Sequence, residues 1–248
     1  MIIFDEVTYA ELIIQNGCSQ RNVLIDFKIL AKYFIHYKHK TDQETREEML
    51  NILKDSQTFI PINYLVLKID KAISFAKTEN LKVMNPIIIY KEEIDVVNNI
   101  TDESLRDLAI VYLFLSKWSN DEKGFFIKEA DVKKLLGKQS LRNKDLQIKN
   151  KLLEDIEFIK FIDTRTKELI KVLITKDDGE EAFRITDFRH PVLHYRQYMG
   201  EKIKQCENCK CLIKMTSSNN KYCKDCKKTI KNLQTNQSKQ RAKTNKSL

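Results

Sequence analysis

Thr101-Asp-Glu-Ser-Leu-Arg-Asp-Leu-Ala-Ile-Val-Tyr-Leu-Phe-Leu115 opens the part of the chain whose element order decides the fold. Thr101 can cap a helix from about Asp102 to Trp118, and Leu105, Leu108, Ala109, Tyr112 and Leu115 share one face of it. A turn over Asn120 to Gly124 leads to a short apolar piece, Phe125 to Ile127. A helix from about Glu129 to Leu136 follows and stops at Gly137, a residue tolerant of left-handed backbone. A third helix, about Asn143 to Ile156, is expected to bury Leu146, Ile148, Leu152, Leu153 and Ile156. Phe158 to Ile162 and Leu169 to Thr175 are β-branched and apolar. The turn Asp177-Asp178-Gly179 before Phe183, Ile185 and Phe188 predicts a hairpin. Three helices and then a two-stranded wing is the order of a winged helix-turn-helix, here expected over residues 101–200.

Upstream, residues 1–100 read as an α-rich module. Val23, Leu24, Phe27, Leu30, Ala31, Phe34 and Ile35 recur at three- and four-residue intervals. A second helix begins at Thr41 or Asp42 and turns Met49, Leu50 and Leu53 inward. Pro61 opens a third apolar segment through Phe75, and Ile87, Ile88 and Ile89 predict a short strand ahead of a helix carrying Ile94 and Val97. This module is expected to serve self-association or contact with a protein partner.

Downstream, Cys206-x-x-Cys209 and Cys223-x-x-Cys226 are separated by 13 residues. A two-residue gap lets both thiolates of a knuckle face one point, and two knuckles fill the tetrahedral shell of a structural Zn²⁺ with no place left for water. Residues 201–230 hold few large apolar groups, so burial alone cannot stabilise them; structural zinc contributes roughly 10–16 kcal/mol of apparent folding free energy. Free thiols or two disulfides are the alternative. One zinc, held by Cys206, Cys209, Cys223 and Cys226, is the expectation. A helix from Lys227 to about Leu233 would make a treble clef, whereas two turns would make a zinc ribbon, and the spacing suits either. Cys211 reads as a bystander on the hairpin, with substitution for Cys209 as its alternative.

The net charge of +9 is concentrated in one place: residues 1–100 carry −2, residues 101–200 carry +1 and residues 201–248 carry +10. Such a block suits a polyanion. Lys227, Lys228 and Lys231 lead into a basic tail over 231–248 without aromatics, which fits phosphate contact better than base stacking. Residues 138–151 net +4, and Arg142, Lys144, Gln147, Asn150 and Lys151 are candidates to meet duplex DNA in a major groove. Acidic Asp177, Asp178, Glu180 and Glu181 at the expected wing tip would repel phosphates.

Other function classes find little support. Five Gly and three Pro are too few for a glycine-lined nucleotide fold. The phosphate-loop, nucleophile-elbow and His-Glu-x-x-His patterns are absent, and His36, His39, His190 and His194 form no ligand spacing. No stretch approaches the roughly 18 apolar residues of a membrane span, and the acidic start is unlike a signal peptide. A non-enzymatic, cytoplasmic protein is expected.

The segment Phe183-Arg-Ile-Thr-Asp-Phe188-Arg189, with Cys206-Glu-Asn-Cys209 and Lys221-Tyr-Cys223-Lys-Asp-Cys226, resembles a group of poorly characterised proteins from phages and integrated elements of AT-rich Gram-positive bacteria. The resemblance covers the C-terminal 150 residues or so and implies a DNA-linked role in a bacterial or infected bacterial cell. Cys211 departs from the pattern, as does Lys210, where a glycine often follows the first knuckle. The fold class expected is mainly α with α+β parts. The function expected is non-enzymatic DNA binding in transcription regulation or replication, with a protein-interaction adaptor stapled by zinc as the alternative.

Overall fold

The computed structural model describes residues 5–18, 22–55, 62–83, 85–119, 123–126, 128–138, 140–162, 169–215, 217, 220–224, 226–228 and 230–231. The basic tail beyond Lys231 and the turn residues 120–122 lie outside them. The chain forms two compact units, Met1–Asn85 and Pro86–Leu248. Residues 86–100, grouped by sequence with the N-terminal module, belong to the second unit.

The first unit is helical: α1 (Glu6–Asn16), α2 (Val23–Lys32), α3 (Asp42–Asp55) and α4 (Ile62–Ala76). Its core is Ala10, Ile13, Phe27, Leu30, Phe34, Met49, Leu53, Leu65, Ile69 and their neighbours, which are the periodic apolar positions of each helix. A π-helical turn, Tyr33–Tyr37, prolongs α2. Glu6 and Lys32 are buried together at 2.6 Å, and the second Glu6 oxygen accepts from the Lys82 amide at 2.8 Å, which ties residues 80–82 to α1.

In the second unit, β1 (Ile87–Tyr90) and α5 (Lys91–Asn98) precede α6 (Glu103–Ser119), whose residues Asp107 to Leu115 are buried on every side. The cap is Asp102 and not Thr101: its Oδ1 accepts from the Leu105 amide at 2.8 Å. β2 (Phe125–Phe126), α7 (Glu129–Leu135), α8 (Asn143–Asp155), β3 (Ile159–Phe161) and β4 (Leu169–Val172) follow, with the strands ordered β2-β4-β3 and both pairings antiparallel. Gly137 stops the chain after α7 at φ +66°, as expected.

Two expectations are corrected. The hairpin across Asp177–Gly179 does not form, because both edges of β4 are already taken by β2 and β3. The next strand, β5 (Glu181–Ile185), pairs antiparallel with β1 instead, Ile87 opposite Ile185. Asp177, Asp178, Glu180 and Glu181 are therefore not a wing tip between β4 and β5. On α8, Leu146 and Leu153 are buried as expected, but Ile148, Leu152 and Ile156 are about half exposed. The helix turns Asn150 inward because the Tyr112 hydroxyl, buried on α6, donates to Asn150 Oδ1 at 2.6 Å; a buried hydroxyl without a partner is costly.

α9 (Pro191–Tyr198) packs on α6, and β6 (Ile203–Gln205) pairs with β7 (Leu212–Lys214) as a hairpin. Arg196 on α9 grips buried Asp107 of α6 with Nη2 at 2.8 and 3.0 Å, and Lys138 approaches the same carboxylate at 3.1 Å.

Candidate metal centre

The hairpin loop between β6 and β7 holds Cys206-Glu-Asn-Cys209-Lys-Cys211. The Cys206 amide donates to the Cys211 carbonyl at 2.7 Å and the Lys210 amide donates to the Cys206 carbonyl at 3.0 Å. Lys210 stands at φ +58°, the left-handed conformation in which a glycine is unstrained. That turn brings Cys211 back beside Cys209, with Sγ atoms 3.3 Å apart. Across the loop, the Glu207 amide donates to the Lys221 carbonyl at 3.0 Å and anchors the second knuckle, after which residues 224, 226–228 and 230–231 are helical.

The thiols of Cys206, Cys209, Cys211 and Cys223 all lie within 4.8 Å of one another, the one such convergence of three or more His, Cys, Asp or Glu among the described residues. Cys226 is buried in the same cluster with Cys206, Cys211 and Ile213. Three of the four cysteines expected as ligands, Cys206, Cys209 and Cys223, fall in this group of thiols within 4.8 Å; Cys211, expected as a bystander, stands in it, and Cys226 does not. Zn–S bonds of about 2.3 Å at tetrahedral angles set sulfurs about 3.8 Å apart; Cys209 and Cys223 are at 3.7 Å.

Backbone and side-chain donors already point at the sulfurs: the Cys223 amide at Cys206 Sγ (3.3 Å), the Cys226 amide at Cys223 Sγ (3.4 Å) and Asn208 Nδ2 at Cys226 Sγ (3.3 Å). Such donors stabilise thiolate over thiol. The hydrogen bond shared with Cys211 lowers Cys209. The same bond and burial raise Cys211, burial raises Cys223, and burial pushes Cys226 up to about 12. An ion binding such cysteines displaces their thiol protons. The donor set is soft, with Cys206 and Cys211 buried and Cys209 and Cys223 half-buried, and could hold a metal ion.

The module is docked, not appended. Asp187 Oδ2 accepts from the Leu212 amide of β7 at 2.9 Å, and Asp187 Oδ1 accepts from Arg189 Nε at 2.7 Å. Arg189 Nη2 reaches the Cys209 carbonyl at 3.4 Å. Burial opposes the Asp187 charge, yet the Arg189 hydrogen bond and charge, with the Leu212 and Arg189 amides, hold its carboxyl below the ordinary range. Burial lowers His194, whose Nε2 accepts from the Asp187 amide at 3.0 Å. The sequence reads Asp187-Phe188-Arg189-His190-Pro191 as a packed connector, not a ligand set; the bonds from Asp187 to β7 and His194 are what the spacing did not reveal.

The residues proposed for DNA contact divide. Lys227, Lys228 and Lys231 are exposed, with Lys227 Nζ donating to Asn220 at 2.6 Å. Lys144 is exposed on α8. Arg142 pairs with Asp145, Gln147 donates to Glu129, and Lys151 bridges Glu154 and Asp155. Asn150 is committed to Tyr112. No helix among the described residues is long and apolar enough to cross a membrane. No protein-family model, curated protein or solved structure matches this chain.

Proposed function

We propose that the chain binds nucleic acid without catalysing a reaction, and that its C-terminal module, fixed by one structural zinc ion, meets duplex DNA. The observation that carries this reading is a stripe of exposed Lys224, Lys227, Lys228 and Lys231 at i, i+3, i+4 and i+7, one face of the helix that starts at the second knuckle. Cys226 is buried and Ile230 half-buried on the opposite face. An ion held on the inner face therefore turns the lysines outward together. Four thiolates in a closed shell favour zinc among the common divalent ions.

The order α6-β2-α7-α8-β3-β4, with strands arranged β2-β4-β3, supports reading this part as a winged helix-turn-helix, and a hairpin followed by a helix supports a treble clef over a ribbon. On α8, DNA would have to displace the carboxylates from Arg142 and Lys151, which makes that surface secondary. A cytoplasmic, phage or integrated-element setting belongs to the same proposal, and transcription regulation and replication support are equally compatible with it.

The test is affinity for random-sequence duplex DNA against salt. The logarithm of the binding constant falls with a slope of about −0.9 per phosphate neutralised, so replacing Lys227, Lys228 and Lys231 by Gln should reduce the slope by up to about 2.7. An unchanged slope rejects the assignment. The adaptor reading is favoured by the exposed Ile148, Leu152 and Ile156 stripe, which an apolar segment of a partner protein would cover. On that reading Ile148→Asp with Leu152→Asp abolishes partner binding and leaves the salt slope intact.

A further inference from the structure

Tetrahedral coordination takes four sulfurs; four lie within 4.8 Å of one another, and a fifth, that of Cys226, is packed in the same cluster outside that group. The inference below rests on the metal reading above and concerns which thiols serve the ion. Cys206, Cys209 and Cys223 are common to every arrangement: they lie within 4.8 Å of one another, and Cys209 to Cys223 has the separation of a tetrahedral edge.

Two thiols compete for the remaining place. Cys211 lies within the same 4.8 Å group, held there by its carbonyl bond to the Cys206 amide and by the left-handed turn at Lys210. Its 3.3 Å approach to Cys209 is shorter than the edge of about 3.8 Å, so binding through Cys211 requires that pair to spread by about half an ångström. Cys226 belongs to the two-residue knuckle, whose amide-to-sulfur bond to Cys223 is formed, and its Sγ is retained beside the cluster by Asn208. Both are buried, at 3% and 5% exposure, so neither is a surface thiol that happens to lie nearby.

We infer that one ion is shared between two tetrathiolate sets, with Cys206, Cys209 and Cys223 constant and Cys211 and Cys226 exchanging at the fourth position. Exchange forms one metal–sulfur bond and breaks another. The proton leaving the incoming thiol passes to the departing thiolate, so charge balances and no oxidant is involved.

Cobalt(II) loaded into the full-length chain reads the thiolate count from its sulfur-to-metal charge-transfer band, independently of DNA. Cys211→Ser and Cys226→Ser should each keep one ion per chain by native mass spectrometry and the full band. The double variant should lose about a quarter of it, one ligand in four. Loss of a quarter in either single variant overturns the exchange and identifies the fixed ligand. A readout that needs no variant to fold is alkylation of the zinc-loaded native chain with iodoacetamide. Label should divide between the peptides containing Cys211 and Cys226, and confinement to one of them overturns the inference. A native chain that takes up no cobalt overturns the metal reading and this inference together; uptake by the native chain with band loss in one single variant overturns this inference alone.

Discussion

Replacing Asp187 by alanine tests how the cysteine module is held to the rest of its unit. The carboxylate is 10% exposed and accepts from Arg189 Nε at 2.7 Å, the Arg189 amide at 3.1 Å and the Leu212 amide at 2.9 Å. Removing one partner of a buried charged pair costs about 3–5 kcal/mol because the other charge is stranded. Arg189 is 32% exposed and can recover water, so the low end, about 3 kcal/mol, applies. That corresponds to roughly a hundredfold larger opening equilibrium at the β6–β7 hairpin. Amide hydrogen exchange reads it directly: Leu212 should lose about a hundredfold protection while amides in α6 lose far less. Asp187→Asn keeps an acceptor for Leu212 and should cost about half as much. The carboxyl is held below its ordinary value, so its contribution is complete above the unfolded value of about 3.9 and fades as pH falls through the folded one. Leu212 exchanging within about threefold of the native rate in Asp187→Ala would refute the docking argument.

Asp107→Ala should cost about 3 kcal/mol by urea denaturation, the low end for a broken buried pair, because Arg196 keeps Glu103 and Glu201 and Lys138 is 43% exposed. Burial keeps the His194 imidazole below its ordinary value, so the unfolded chain takes up that proton first as pH falls. Stability should be level above about pH 6.5 and decline below it, and His194→Gln should flatten the decline in urea midpoints compared between pH 7.5 and 5.5. Lys210→Gly relieves a left-handed backbone and should stabilise the metal-bound module by about 1 kcal/mol, seen as a higher melting temperature.

Helix positions were legible where local chemistry punctuates them. Gly137 ends α7, and the apolar spacing of 105–115 marks α6, because caps and periodicity act within one or two turns. The inward face of α8 was not legible: Leu146, Asn150 and Leu153 make one stripe and Ile148, Leu152 and Ile156 another, and hydropathy favours the wrong one. What decides it is the Tyr112 hydroxyl 38 residues away. The partner of β5 was hidden for the same reason, since pairing with β1 spans nearly a hundred residues and leaves no turn signal. At the centre, spacing alone selected the cysteines of the two knuckles, but the place of Cys211 depends on the handedness of the backbone at Lys210.

The β1–β5 ladder bears on how the molecule is made. During synthesis Ile87-Ile-Ile-Tyr90 leaves the ribosome long before residues 181–185 exist to cover it, and an apolar strand edge in waiting is an invitation to aggregate. A fragment begun at residue 101 would never acquire that edge and would leave β5 bare; one begun at Pro86 carries both halves of the zipper.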